Sequence, residues 1–499
     1  MFFVSTRNSK VLCKFKDTIL DVMAEQQGGL FTPSFLTPMD QEQLYQLGHK
    51  KYTDILIELL FQFCDNALSK QTLTTIVNNA YKDFNRGFGV PNNNLNLQFD
   101  GVFSMQTFED NIEIANLTYG PTGCVKDYGY CLSAELINYF SEKENKVRTV
   151  IDISGGSSGP SVAWAIRNKK FLKGFTLLRN TKNPSVKALI AMANKDADNI
   201  GYSSTECDGN FINAIRYDIS NNTSLRELAN LTFINELNLI NIFSYLPVFF
   251  KAYIRCNMKP FCVSLPTGNL SLGLSAFFAK KLGIPIRKII LATEKNDFLY
   301  EIQESKVAIN NNDTIEGFSC LHTNIPTNFE RLLFYLYESN QGSVKRAMQE
   351  LESNGRYKIN SGLFAKFQEH FFVAKCDNQF NIRNTIHSAI REKELYVEQH
   401  FAISKMAIDV AQGAIPEEIS NTPIVIFNTM DYRRNIDFVN ASIGYDLEQV
   451  KYPWTDFDVK QYSPTEIKND KLLILRYIID ALEDATKLKQ VAVEKKEEE

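Results

Sequence analysis

Three short segments set reactive or anion-binding residue types beside residues that reverse the chain. The first is Gly120-Pro121-Thr122-Gly123-Cys124-Val125-Lys126-Asp127-Tyr128. A turn here delivers a lysine between an apolar residue and an acid. A lysine held against a sheet loses hydration, which disfavours its charge and leaves a nucleophilic amine. The same spacing suits a solvated lysine, so spacing by itself leaves both readings open. The second segment is Pro266-Thr267-Gly268-Asn269-Leu270-Ser271-Leu272-Gly273. Small and polar residues there let backbone N–H groups converge on an anion at a helix N-terminus, where the dipole favours negative charge. It lacks the Gly-Lys-Ser/Thr ending of a nucleotide P-loop, and a tight turn with an asparagine cap is the plainer alternative. The third, Ser154-Gly155-Gly156-Ser157-Ser158-Gly159, offers three hydroxyls to a small polar or carboxylate-bearing ligand. Its glycines miss the G-x-G-x-x-G offsets of a dinucleotide loop, and a glycine-rich turn alone explains it equally well.

Other chemistries lack support. The five histidines, His49, His322, His370, His387 and His400, form no His-x-x-x-His pair, and the nine cysteines form no Cys-x-x-Cys. No metal site is expected. No Gly-x-Ser-x-Gly elbow marks a serine hydrolase.

The elements that must aim these segments follow from periodicity. Thr149–Ile153 reads as a strand running into the Ser154–Gly159 turn and a helical Val162–Ile166. Phe261–Leu265 runs into the 266–269 turn and a helical Leu272–Leu282, and Ile286–Thr293 is a further strand. Strand, glycine-rich turn, helix, repeated, predicts an α/β sheet with binding loops at strand C-terminal ends. Earlier, Ile55, Leu56, Leu59, Leu60 and Phe63 recur at helical spacing within a helical stretch over 38–85. Pro91 and Asn92–Asn94 read as a linker. Thr422–Asn428 is one more apolar strand, 467–487 a closing amphipathic helix, and Lys489–Glu499 a charged, solvated tail. The expected organisation is an N-terminal domain over 1–95, a catalytic α/β region of two subdomains over 96–465, and a helix with its tail over 466–499.

At 499 residues the chain is long enough for several domains. Hydrophobic residues are 44% and charged residues 22%, with a formal net charge of -4. That balance gives no basic footprint for nucleic acid. No apolar run reaches the roughly 18–20 residues needed to cross a bilayer, and the opening Met1–Arg7 meets a charge too early for a secretory signal. An odd number of scattered cysteines predicts reduced, buried thiols. Together these predict a cytoplasmic protein without nucleic-acid or membrane partners.

Taken in order, the segments resemble the threonine synthase family, enzymes of pyridoxal 5'-phosphate (PLP) with fold type II. Ser5-Thr6-Arg7 with Gly28-Gly29-Leu30-Phe31-Thr32-Pro33 is similar to the family's N-terminal signature, and Ala80-Tyr81 with Phe84 to the end of that domain. Gly120-Pro121-Thr122 with Val125-Lys126-Asp127 looks like the segment bearing the cofactor lysine. Pro266–Asn269 looks like the start of the cofactor-phosphate loop, and Ala279–Lys288 continues it, as do Ala292-Thr293 and Asn296-Asp297. Asn328-Phe329-Glu330-Arg331-Leu332-Leu333-Phe334, Glu398-Gln399-His400-Phe401-Ala402 and Thr422 through Thr429 match further blocks.

The resemblance implies two open α/β sheets with helices on both faces, as in the tryptophan synthase β subunit, plus a small N-terminal α+β domain. It implies PLP held covalently by Lys126, its phosphate at Gly268, Asn269, Leu270 and Ser271, and its pyridine nitrogen at Thr429. Thr122, Ser154, Gly155, Ser157 and Ser158 are the candidates for substrate binding. Lys126 is the expected base for the α-proton. The partner is a small amino-acid substrate, and the assembly a monomer or homodimer. The implied reaction is elimination or replacement on an activated β- or γ-substituted amino acid. Its leading form is O-phosphohomoserine plus water giving threonine and phosphate.

The departures cluster in binding loops. The family's Ser-Gly-Asp-Thr-Gly has become Ser154–Gly159, losing the acid. Its Phe-Gly-Asp/Asn after Asn269 reads Leu270-Ser271-Leu272. Its Asn-x-Ile-Asn-Trp-Ala-Arg block reads Asn238–Ser244, losing Trp and Arg. Its Ala-His-Pro-Ala-Lys after Thr429 reads Met430-Asp431-Tyr432-Arg433-Arg434, where Arg433 and Arg434 are candidate replacement cations. These changes favour two alternatives: a same-fold PLP enzyme with another amino-acid substrate, and a non-catalytic ligand-binding relative.

Overall fold

A short apolar run gives β1 (Phe3–Ser5), followed by β2 (Leu12–Cys13), the short helix α1 (Phe15–Leu20) and β3 (Phe31–Pro33). The computed structural model describes residues 2–21, 29–84, 98–154, 156, 158–179, 183–195, 197–205, 227, 230–295, 297–310, 321, 324–447, 465–466, 470 and 476. The first three strands form an antiparallel sheet in the order β2-β1-β3. Three helices follow: α2 (Gln41–Gly48), α3 (Tyr52–Phe61) and α4 (Lys70–Tyr81). Asp40 starts α2 with a reciprocal cap, its side chain accepting from Gln43 N at 2.8 Å while Gln43 Oε1 accepts from Asp40 N at 2.9 Å. Ile55, Leu56, Leu59 and Leu60 are buried, as their helical spacing predicts.

Two large sheets carry most of the rest, and a two-stranded pair joins Val307–Ile309 to Arg356–Lys358. After β4 (Gln98–Phe99), β5 (Ser104–Glu109) and β6 (Ile112–Asn116), the chain turns into the long helix α5 (Lys126–Lys143). Then come β7 (Arg148–Ser154), α6 (Ser158–Ile166), β8 (Leu172–Arg179), α7 (Pro184–Lys195), β9 (Ile200–Thr205), β10 (Leu231–Thr232) and the buried helix α8 (Leu239–Arg255). Next are β11 (Phe261–Pro266), α9 (Ser271–Lys281), β12 (Ile286–Thr293), α10 (Phe329–Leu336), α11 (Ser361–His370), β13 (Phe371–Lys375), α12 (Gln399–Ala414), β14 (Ile424–Asn428) and β15 (Thr465–Glu466). One sheet is five-stranded and parallel, in the order β10-β7-β8-β9-β15. The other has seven strands, β13-β12-β11-β14-β6-β5-β4. Its first five are mutually parallel and its last two are antiparallel additions.

The expected two-sheet α/β architecture is therefore present. Strands of the larger sheet are continuous apolar runs, such as Ile424–Asn428, because both faces are covered. One apolar cluster runs from Phe3 through the helices to Val425 and Phe427, and a second covers the opposite face with Ile426, Phe401 and Ile408. The closing helix expected over 467–487 lies outside the described residues, apart from 470 and 476. No helix among the described residues is long and apolar enough to cross a membrane.

Candidate active site

Three adjacent strands of the larger sheet, β11, β14 and β6, run parallel and end on the same side. The turn at 267–270 leaves the end of β11, Thr429 leaves β14, and the turn leading to Lys126 leaves β6. Loops at the carboxyl ends of parallel strands are where an α/β sheet binds ligands. Backbone bonds weld two of them together. Val125 N donates to Thr429 O at 2.8 Å, Asp431 N donates to Gly123 O at 2.8 Å, and Cys124 pairs with Met430 in an isolated antiparallel bridge.

The turn before Lys126 is built around Asp127. Its carboxylate accepts from Thr122 N at 2.8 Å through Oδ2 and from Thr122 Oγ1 at 2.8 Å through Oδ1. Complete burial pushes the Asp127 carboxyl up, and the bonds from Ser161 and Thr122 together with nearby Arg434 oppose that. Gly123 takes a positive φ of 68°, which an L side chain adopts at a cost. Thr122 Oγ1 also lies 3.0 Å from Ser161 Oγ on α6. That contact ties the Lys126 turn to the helix that follows the Ser154–Gly159 segment.

Lys126 opens α5 with its side chain 11% exposed, and its Nζ donates to Glu236 Oε1 at 2.8 Å. Glu236 lies in the segment leading to α8. Its backbone carbonyl, 3.2 Å from Asn328 Nδ2, connects it to the second turn. Asn328 Nδ2 also donates to Ser271 Oγ at 2.8 Å, and Asn269 Oδ1 accepts from Ser271 N at 2.9 Å. Leu270 holds a positive φ of 66°. A methyl built on Gly268 would strike the backbone of Leu321, so that position requires a residue without Cβ. The amine at 126 and the turn at 268–271 thus share one hydrogen-bonded neighbourhood.

Thr429 is buried, with its hydroxyl 2.9 Å from His400 Nδ1, and His400 N donates to Glu398 Oε1 at 2.8 Å. The two arginines beyond it separate. Arg433 forms a bidentate pair with buried Asp431 at 2.6 and 2.7 Å, whereas Arg434 is buried and donates to Thr122 O at 2.7 Å. Tyr130, one helical turn beyond Lys126, is fully buried, and its hydroxyl has no hydrogen-bond partner among the described residues. Burial, then the charges of Glu236 and Asp152, pushes its phenol up, so it stays neutral.

The structure brings together Lys126, Gly268, Asn269, Leu270, Ser271, Thr429 and Thr122. The Thr122 hydroxyl is occupied inside the protein by Asp127 and Ser161. Ser154 closes β7 and Ser158 opens α6, while Gly155 and Ser157 lie outside the described residues. Sequence reasoning gave no role to Glu236 or Tyr130 and none beyond family likeness to Asn328. A 110-residue separation hides the Lys126–Glu236 pair, and helical spacing from Lys126 was the one legible signal for Tyr130.

Residues 2–81 match the family described as Threonine synthase N terminus. The chain is 22% identical over 460 residues to a threonine synthase of Methylobacillus glycogenes, covering 90% of this chain and 93% of that one. It is 25% identical over 428 residues to a threonine synthase of Eremothecium gossypii, covering 80% and 81%. Its fold superposes on a PLP-bound threonine synthase from Brucella melitensis with a TM-score of 0.84 at 23% identity, covering 96% of this chain and 98% of that one. At its N-terminus the chain thus matches the threonine synthase family, and over most of its length it is similar to threonine synthases in sequence and in fold.

Proposed function

We propose that this chain is a PLP-dependent carbon–oxygen lyase of the threonine synthase type, converting O-phosphohomoserine and water into threonine and phosphate. The observation that carries this is the meeting of a buried lysine amine, a turn at a helix N-terminus and a buried threonine hydroxyl at three neighbouring strand ends. The residues fit the cofactor. The amine at Lys126 can bond its aldehyde. The backbone turn before α9, closed over Gly268 by Leu321, suits its phosphate. Thr429, which can donate and accept, keeps a hydrogen-bonding capacity for its ring nitrogen beyond the contact with His400.

Bound PLP supplies the electron sink that makes an amino acid's α-hydrogen acidic. Lys126 Nζ, the amine that would hold PLP, would also serve as the base for that hydrogen. Glu236 Oε1 orients Nζ by accepting its hydrogen. Asp127 fixes the turn from which Lys126 springs, and its burial keeps water from that turn. A neutral hydroxyl at Thr429 does not enforce ring protonation as an acid would, which favours elimination and replacement over transamination.

A second reading, another amino-acid substrate, is favoured by the anion-binding side chains. Arg433 is neutralised by Asp431, and Ser244 stands where the family carries arginine. The test is a spectral screen of the purified, PLP-loaded protein against phosphohomoserine, phosphothreonine, phosphoserine and their unphosphorylated forms. A cofactor band change and phosphate release with phosphohomoserine support the leading reading. A response confined to another amino acid replaces the substrate. A protein that takes up no PLP, and shows no borohydride-fixed pyridoxyl group at Lys126, overturns the enzyme reading.

A further inference from the structure

Arg331 and Asn328 are deeply buried, and no step above uses them. Arg331 has no exposed surface and donates from three nitrogens: Nε to Phe31 O at 2.8 Å, Nη1 to Asn328 Oδ1 at 2.6 Å and Nη2 to Leu237 O at 2.6 Å. None of those acceptors is a carboxylate. The neighbouring Glu330 turns instead to Arg7, at 2.8 and 2.9 Å, and to Thr6. Burial pushes the Arg331 guanidinium down to about 10, which still leaves a cation at neutral pH.

The direction of each bond is fixed by chemistry. Arginine has only donors, so Asn328 must present its carbonyl oxygen to Arg331 and its NH2 to the other side. That NH2 lies 2.8 Å from Ser271 Oγ, and 3.2 Å from the carbonyls of Glu236 and Asn269. The Ser271 oxygen therefore accepts from Asn328, and its own hydrogen points away from it. Ser271 is the first residue of α9, an 11-residue helix whose N-terminus faces the same turn.

We infer that Arg331, Asn328 and Ser271 form a one-way donor relay that aims the Ser271 hydroxyl hydrogen at the cofactor phosphate and delivers Arg331's charge to it without contact. The inference rests on the PLP reading of this site, because it requires a phosphate at the start of α9. Each donor in the chain is polarised by the one behind it, and burial strengthens the effect. A phosphate there meets a hydroxyl backed by a cation two hydrogen bonds away. Ser271 touches the phosphate. Asn328 and Arg331 are positioning residues.

Pyridoxal lacks the phosphate, so the ratio of its dissociation constant to that of PLP isolates phosphate recognition from the chemistry of Lys126. Both constants are read by absorbance titration of the full-length apoprotein. Ser271→Ala is expected to lower that ratio about tenfold, with pyridoxal affinity unchanged. Asn328→Ala should lower it by a similar factor. The double variant should lose no more than the larger single loss, because Asn328 acts through Ser271. Asn328→Asp replaces Asn328→Ala in the cycle if the alanine variant does not fold. It keeps an acceptor for Arg331 while removing the donor to Ser271, and the ratio should still fall. Losses that multiply in the double variant, or an unchanged ratio in Ser271→Ala or Asn328→Asp, overturn the relay alone. A wild-type protein that binds no PLP overturns the cofactor reading and the relay together.

Discussion

Gly268→Ala tests the phosphate turn through shape alone. A methyl at that position lies 2.7 Å from Leu321 Cα, 2.8 Å from its carbonyl oxygen and 3.0 Å from its carbonyl carbon. All three are backbone atoms, so no side-chain rotation relieves them. Restoring carbon–carbon contact to about 3.5–4.0 Å forces the two backbones apart by roughly 1 Å. Overpacking of this kind costs about 1–3 kcal/mol, and a binding group misplaced by about 1 Å can lose a factor of about a hundred. The displaced residues are those whose N–H groups and hydroxyl are proposed to receive the phosphate. PLP affinity should therefore fall by about 10- to 100-fold, with secondary structure by circular dichroism preserved. Gly273→Ala is the matched comparison. Its methyl meets Leu270 Cδ1 and Leu291 Cδ2 at 3.0 Å, the ends of side chains that can yield, so its affinity should change by less than about threefold. A Gly268→Ala protein that takes up PLP as tightly as the wild type refutes the reasoning.

Two stability measurements probe the buried polar groups. Tyr130→Phe removes a buried hydroxyl with no hydrogen-bond partner among the described residues, so it should stabilise the protein by about 1 kcal/mol and raise the melting midpoint by roughly 1 °C. A fall in the midpoint would mean that the hydroxyl is bonded in solution. His370 packs edge-on to Phe277 with ring centroids 5.0 Å apart, and burial, then Lys280, pushes its imidazole down to about 4. The unfolded chain binds that proton near pH 6.5 and the folded one resists it to about 4. Its contribution, about 3 kcal/mol, is thus complete above pH 6.5 and lost as pH falls toward 4. Denaturant unfolding of wild type and His370→Phe across that window should diverge by this amount, and parallel curves would refute the assignment.

Much of the architecture was legible because strand, turn and helix signals coincide at the sites that matter. Phe261–Pro266 ends in a turn and then α9, and the apolar run at 424–428 fills the middle of the larger sheet as a doubly covered strand must. The Lys126 turn could be read from its own residues, since Asp127 closes it locally. What escaped was the set of partners that burial imposes across distance. Glu236 meets Lys126 from a different element, and nothing local marks it as the acceptor. Arg433 and Arg434 look equivalent in sequence, yet Asp431 occupies one while Thr122 O accepts from the other. Thr122 reads as a ligand-facing hydroxyl by type, but the buried carboxylate beside it competes for that hydroxyl.

The position of β14 constrains the order in which this protein can mature. Its residues, 424–428, lie between β11 and β6, so they fill the centre of the seven-stranded sheet rather than extend its rim. Until the ribosome has released them, β11 and β6 each present an unsatisfied ladder edge, and the lysine turn lacks the backbone of Thr429 and Met430 that braces it. The nascent chain therefore carries Lys126 well before the strand that completes the turn around it.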